Sequence, residues 1–297
     1  MGVGSRIVWV IVLLLCSKAM AATPDPDRLR LASVTAAVSP LAGERLLVDK
    51  YADRVVPIAS ITKVMTALVV LDAGLPLDEW LAFQARHKPA PANAYTRIRV
   101  GSELRRRDML RLALMSSENF AAYNLARHYP GGYDAFIAAM NSKARELGMR
   151  DTRFVDSTGL SADNVSTAAD LVKLVRAAMA QPLIAEYSTQ GYFTANFRQP
   201  RYSLNFGNTN VLVHRDSWGV SFSKTGYLTE AGRCLVMVSQ MDGEEVITVL
   251  LDSFGSRSPI GDAGRVRRWL QTGDSGPVAG AAREYEQRKN TQYARAQ

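Results

Sequence analysis

The chain has 297 residues, a formal charge of +8 and an apolar fraction of 47%, enough to bury a sizeable core in one domain or in two lobes sharing a core. Its basic residues form no aromatic-interleaved patch, so the charge points to a solvated basic surface or an anionic polymer and away from nucleic acid. With only Cys16 and Cys234, a disulfide framework is excluded.

In "MGVGSRIVWVIVLLLCSKAMA" Arg6 precedes an apolar run from Ile7 to Cys16, and Ala19 and Ala21 supply small residues at alternate positions. This is the pattern of a secretory signal peptide over residues 1–21. The run is shorter than the roughly 20 residues a membrane span needs, and no later segment approaches that length. An exported, soluble mature protein is therefore expected. Cys16 follows three leucines rather than a small residue, which argues against lipidation. Cleavage leaves Cys234 alone and a net charge of +6, because Arg6 and Lys18 are lost.

From residue 33 to 56, two apolar arms around Pro40 to Gly43 predict a hairpin of short strands. Helical periodicity then dominates from Ser60 to about residue 190. "SITKVMTALVVLDAG" stops at Gly74, "RRDMLRLALMSSENFAAYNLARHY" runs to Pro130, "YDAFIAAMNSKARELG" ends at Gly148, and "TAADLVKLVRAAMAQP" carries Thr167 as a cap. After residue 210 strands return in "WGVSFSKTGY", "RCLVMVSQ" and "EVITVLLDS", with a tight turn at "MDGE", and "DAGRVRRWLQ" closes as a helix. The fold class is thus α+β: an antiparallel sheet flanked by helices (about 30–59 and 210–272) with an inserted all-helical lobe (about 60–209). The cleft between such lobes is the favoured place for an active site. The polar tail, 273–297, is expected to be frayed or disordered.

Chemistry concentrates at three places. Ser60 and Lys63, at i and i+3, share one helix face about 5 to 6 Å apart at Cβ. Their neighbours Val64, Met65 and Leu68 are apolar. A lysine desolvated there favours its neutral form and can act as base to an adjacent hydroxyl nucleophile. The helix N-terminus beside Ser60 offers N–H groups to an oxyanion. On spacing alone, a capping serine and a snorkelling lysine fit as well. "MSSENF" adds Ser117 and Asn119 at a helix-to-loop position, and "SKTGY" adds Lys224, Thr225, Gly226 and Tyr227 on a strand. Each is weak alone; in this order, on these elements, the trio is a known signature of penicillin-interacting serine enzymes. The histidines, His87, His128 and His214, lack metal-site spacing, and no cofactor or metal is expected. Cys234 sits in an apolar strand and reads as a packing residue.

The whole pattern resembles the low-molecular-mass penicillin-binding proteins of the D-alanyl-D-alanine carboxypeptidase/endopeptidase family (peptidase S11), with the endopeptidases the most similar. "IASITKVMTALVVLDAGLPLDE", "LALMSSENFAA", "FVDSTGLSADNVSTAADL", "SKTGYLTEAGRCLV" and "GDAGRVRRWL" carry the likeness, across roughly residues 33–271. The resemblance implies a β-lactamase/DD-peptidase-like fold over 22–272 and a periplasmic enzyme acting on peptidoglycan stem peptides and cross-links. It implies Ser60 as the acylated nucleophile, Lys63 as general base, Ser117 as proton relay and Asn119 as orienting group. Lys224 and Thr225 would hold the substrate carboxylate, Gly226 would make room for the acyl chain, and the N–H groups of Ser60 and Tyr227 would form the oxyanion hole. β-Lactams are expected as inhibitors, and other cell-wall enzymes as partners.

Three rivals differ in what they require. A class A β-lactamase needs a water-activating glutamate between the second and third motifs. Only Glu146 and Glu186 lie there, neither in its usual context. A DD-carboxypeptidase would use the same residues but commonly adds a β-rich domain and an anchor, whereas this chain ends about 25 residues after "RVRRWL". Cross-link cleavage is therefore the preferred expectation. A non-catalytic wall-binding protein would not need all three motifs intact.

Overall fold

The computed structural model describes residues 24–87 and 94–296; the predicted signal peptide lies outside them. Strand β1 (Ser33–Pro40) turns into β2 (Val48–Lys50), and β3 (Val56–Pro57) leads through a 3₁₀ turn, Ala59–Ile61, into α1 (Thr62–Asp72). There follow β4 (Trp80–Ala82), β5 (Glu103–Arg105), α2 (Arg106–Met115), α3 (Asn119–Arg127), α4 (Gly132–Glu146), β6 (Val165–Ser166), α5 (Ala168–Met179) and α6 (Pro182–Thr189). The chain continues through β7 (Tyr192–Phe197) and β8 (Tyr202–Gly207) into β9 (Val220–Leu228), β10 (Gly232–Met241) and β11 (Glu244–Ser253), and closes with α7 (Ser258–Thr272) and α8 (Gly280–Ala296).

The main sheet is antiparallel, in the order β2-β1-β11-β10-β9, so the first and last strands of the chain pair (Val38 opposite Thr248) and β9 is an edge. This is the α+β architecture expected. One face packs on the helical lobe through the large core that contains Val64, Met65, Phe136, Leu171, Val236 and Val249. The other face is covered by α7, whose Val266 and Trp269 meet Ala36, Leu235 and Leu250. Helix α1 lies at the centre of the lobe with every residue from Thr62 to Val70 buried. A helix apolar all round has nowhere to go but the interior. Thr167 caps α5 by accepting from the Asp170 amide (3.0 Å), as its position predicts. No helix among the described residues is long and apolar enough to cross a membrane.

Two features depart from the sequence reading. The lobe expected to be all-helical contains a β7–β8 hairpin in register Tyr192 to Gly207, whose Ala195, Phe197 and Phe206 reach the core. The tail expected to be disordered forms α8. Its Tyr285, Lys289 and Tyr293 recur at i, i+4 and i+8, on one face. All three reach the fully buried carboxylate of Asp252: both phenols donate to it, Tyr293 at 2.8 Å, and the Lys289 ammonium lies 3.0 Å away. Burial first, and then the Asp252 charge, pushes both tyrosine pKa values up, so they remain donors. A second ion pair, Lys50 to Glu286 at 2.7 Å, fixes the same helix.

In Tyr285→Phe/Lys289→Met/Tyr293→Phe the Asp252 charge stays covered by α8 but loses these three donors. Breaking a buried pair from one side costs about 3 kcal/mol or more, so urea unfolding of this variant should show a loss of that order. Asp252→Asn in the same background should recover part of it. Stability equal to that of the unaltered protein would show that these contacts contribute nothing to the fold.

Candidate active site

Ser60 sits in the 3₁₀ turn before α1, and the residue before it, Ala59, is held at φ +47°. A non-glycine residue in the left-handed region persists only where its surroundings impose it. One helical turn on, the Lys63 side chain is fully buried. Its Nζ donates to Ser60 Oγ (2.8 Å), to Asn119 Oδ1 (2.7 Å) and to the Thr158 carbonyl. Burial lowers its pKa to about 7, against the opposing pull of Asp156 and Glu118. A neutral amine has two N–H bonds and one lone pair. The carbonyl oxygens of Asn119 and Thr158 can only accept, so they take the two N–H bonds and leave the lone pair facing the Ser60 hydroxyl. The burial that favours the neutral form of Lys63 and the two acceptors that orient it act on the same atom.

Ser117 and Asn119 lie where α2 gives way to α3. Ser117 is the second strained residue, at φ +59°. Glu118 caps α3 by accepting from the Phe120 amide (3.0 Å), which leaves Asn119 as the first helical residue. Opposite them, Lys224 is also buried; it donates to Ser117 Oγ (2.9 Å) and to the Thr225 carbonyl (2.8 Å). Its pKa is lowered, chiefly by burial and further by the Lys63 charge. Lys224 thus lies beneath the cleft against Ser117, where the resemblance implied direct contact with a substrate carboxylate. Thr225 faces the cleft, its hydroxyl 2.6 Å from that of Thr209.

The glycine of the third motif has a reason in the fold itself. A Cβ on Gly226 would stand 3.1 Å from the Ile58 carbonyl, 3.1 Å from the Ser60 nitrogen and 3.2 Å from Ala59 Cβ. Absence of a side chain lets edge strand β9 pass against the serine turn. Tyr227 is half exposed, with the Arg233 guanidinium 3.7 Å from its ring centroid.

One contributor escaped the sequence reading, the loop in "FVDSTGLSADN". Asp156 accepts from Thr158 Oγ1 (2.7 Å) and from the amides of Gly159 (2.7 Å) and Ser161 (2.8 Å), folding the loop so that Thr158 O meets Lys63. Gly159, at φ +79°, has room only for hydrogen, because a Cβ would fall 1.9 Å from the Ala59 carbonyl. Asn164 ties the loop to α1 by donating to Thr62 Oγ1 (3.0 Å). An Asp followed by a Ser-Thr-Gly turn was visible as an Asx-type signal, but nothing in it names a lysine as the target.

Ser60, Ser117, Asn119, Thr225, Gly226 and Tyr227 line one cleft of about 980 Å³ between the lobes, and the two lysines lie under its floor. The Cys234 thiol on β10 is buried and its pKa is pushed up to about 12, mainly by burial, so it is an inert packing residue.

Residues 19–255 match the model of the D-alanyl-D-alanine carboxypeptidase family, peptidase S11. The chain is 49% identical to a D-alanyl-D-alanine endopeptidase of Escherichia coli, over 93% of this chain and 89% of that protein. A mutant of the Streptomyces K15 DD-transpeptidase superposes with a TM-score of 0.73 at 28% identity, covering 82% of this chain and 98% of the other. Penicillin-binding protein D2 of Listeria monocytogenes, in its ampicillin-bound form, gives 0.70 at 30% identity, with 82% and 98% covered. With a family model matched over most of its length and a relative 49% identical along nearly the whole chain, the protein that carries this cleft belongs to the D-alanyl-D-alanine carboxypeptidase family.

Proposed function

We infer that the protein is a serine DD-peptidase of peptidoglycan that hydrolyses the bond between D-alanine and the diamino acid of a neighbouring stem peptide, opening cross-links. The observation that carries this reading is the Lys63 amine, held between two obligate acceptors with its lone pair on Ser60. Ser60 gives its proton to Lys63 as Oγ adds to the D-alanine carbonyl carbon. The N–H groups of Ser60 and Tyr227 stabilise the oxyanion. As the C–N bond breaks, the leaving amine takes a proton through Ser117, whose hydroxyl is held by Lys224. Water then hydrolyses the acyl-Ser60 ester by the reverse proton route, releasing the D-alanine carboxylate. Thr225, backed by Thr209 and with Lys224 beneath it, binds the carboxylate of the leaving residue.

A β-lactam enters the same steps, but its leaving nitrogen stays tethered after ring opening. The nearby acids are engaged elsewhere: Asp156 in its loop and Glu118 at the α3 cap. Neither carboxylate is free to activate water, so the penicilloyl ester persists and the drug inhibits. The signal-like leader supports export to the periplasm, and the likeness to an endopeptidase over nearly the whole chain supports cross-links over terminal D-alanine as substrate.

Four results test this. Fluorescent penicillin should label the protein and fail to label Ser60→Ala; surviving label would remove Ser60 from its role. Lys63→Arg keeps the charge but guanidinium stays protonated, so acylation should fall about 100-fold or more. The wild-type acylation rate should rise with pH to a plateau with its midpoint near 7, because only neutral Lys63 accepts a proton. A pH-independent rate would contradict that. Gly159→Ala, which drives a methyl into the Ala59 carbonyl, should abolish labelling as completely as Ser60→Ala.

A further inference from the structure

Beyond Thr225 the cleft has a wall that the catalytic steps leave unused. It is made by the two 3₁₀ turns Val211–His214 and Asp216–Trp218, between β8 and β9, and it contributes Val211, Arg215 and Trp218 to the same cavity as Ser60. Both ends of the segment are pinned. At its start, Asn210 is buried, accepts from the Leu212 amide (3.0 Å) and donates to Ser223 Oγ (2.8 Å), and Leu212 is sunk into the core beneath α7. At its end, Arg267 of α7 donates to the carbonyls of Ser217 (3.0 Å), Trp218 (3.0 Å) and Gln240 (3.1 Å), and its guanidinium stacks 4.0 Å from the Trp218 ring centroid.

On this fixed frame the cleft side is oddly unsatisfied. Val211 is 54% exposed. Arg215 is exposed and makes no ion pair among the described residues, in contrast to Arg267 with its three carbonyls and Arg233 with its stacked tyrosine. A rigid wall that presents an apolar surface beside an unneutralised cation is complementary to an aliphatic chain ending in carboxylates.

Resting on the cross-link reading above, we propose that Val211, Arg215 and Trp218 form a leaving-group subsite for the stem peptide released when a cross-link is cut. Cutting a terminal bond releases alanine, whose side chain is a methyl group and ends near Thr225. Cutting a cross-link releases a diamino acid whose carbon chain leads on to a second peptide bearing carboxylates. Only that larger leaving group extends along the wall. Its methylenes lie on Val211 and Trp218, and Arg215 takes one of its carboxylates. The cleft volume, about 980 Å³, is at the upper end of the range for small-molecule sites, roughly 300 to 1,000 Å³, and leaves space past the terminal residue. Arg215 is a specificity residue here; it touches no reacting atom.

The test compares a purified cross-linked muropeptide dimer with an uncross-linked pentapeptide monomer, using the mature protein and its Arg215→Gln and Arg215→Lys variants. For Arg215→Gln, kcat/KM on the dimer should fall about tenfold relative to that on the monomer, the size of one charge-assisted hydrogen bond. The loss should appear mainly in KM, and Arg215→Lys should recover part of it. Added salt should raise the wild-type KM for the dimer and have less effect on Arg215→Gln. Penicillin acylation of each variant reports whether its catalytic centre is folded. Equal losses on both substrates, or none on the dimer, would overturn the subsite while leaving the cross-link reading standing. A wild-type protein that trims the monomer and leaves the dimer whole would overturn both.

Discussion

Everything at this centre depends on one unfavourable act, the burial of the Lys63 amine in the middle of an apolar lobe. Lowering its pKa from 10.5 to about 7 corresponds to about 5 kcal/mol, at 1.36 kcal/mol per unit. The sign is that of a depressed base: the unfolded chain binds more protons between the two values, so this cost is full below about pH 7 and is lifted as pH rises toward 10.5. A lysine left in water would be protonated at neutral pH, and so useless for the base role proposed above. The surrounding core, with α1 buried from Thr62 to Val70, supplies the apolar contact that offsets this cost.

Holding the amine is only half of the constraint, since it must also be aimed. That explains why strain and close approach converge on a few residues. Ala59 and Ser117 are both held at positive φ, on either side of the lysine. Gly159 and Gly226 allow two backbone segments to press on the serine turn from opposite directions, one bringing the Thr158 carbonyl and the other the edge of β9. A side chain at either glycine would push a hydrogen-bonding group out of reach, and an error of about 1 Å in positioning can cost 100-fold in rate. The sheet serves the same end. Pairing β1 with β11 closes the chain around the lobe and leaves β9 free at the edge, beside Ser60.

This hierarchy also explains what could be read from the sequence. That Ser60, Lys63, Ser117, Asn119 and the Lys224-Thr225-Gly226 strand would meet was legible because the motifs are defined by side-chain identity and fixed spacing. Thr158 was not, since it acts through a carbonyl that any residue possesses. Thr209 was hidden likewise: its hydroxyl matters only through a partner 16 residues away. Gly226 shows a further constraint of the same kind. A glycine in a strand announces a close approach, and only the fold shows that the serine turn is one neighbour. Helix α8 eluded an apolar-periodicity reading because three polar contacts to Asp252, rather than a greasy stripe, dock it on the sheet. The β7–β8 hairpin lies between helical segments, and its alternation is confined to six residues on each strand.

The two buried lysines are best understood as one system. Both are fully enclosed, and the positive charge of Lys63 lowers the pKa of Lys224; two ammonium groups under one cleft floor are each a cost to the other. In the resting site Lys224 holds the Ser117 hydroxyl at 2.9 Å, and an uncharged Lys63 lifts the smaller of the two effects that lower the Lys224 pKa, burial being the larger. On the mechanism proposed above, transfer of the Ser60 proton to Lys63 shifts that balance. The charge gained by Lys63 lowers the Lys224 pKa further, which would make the Lys224–Ser117 pair the better acid when the departing amine needs a proton. The coupling requires no movement of either side chain. It follows from placing one lysine against Ser60 and the other against Ser117, so that, on this reading, protonating the first prepares the second to give its proton away.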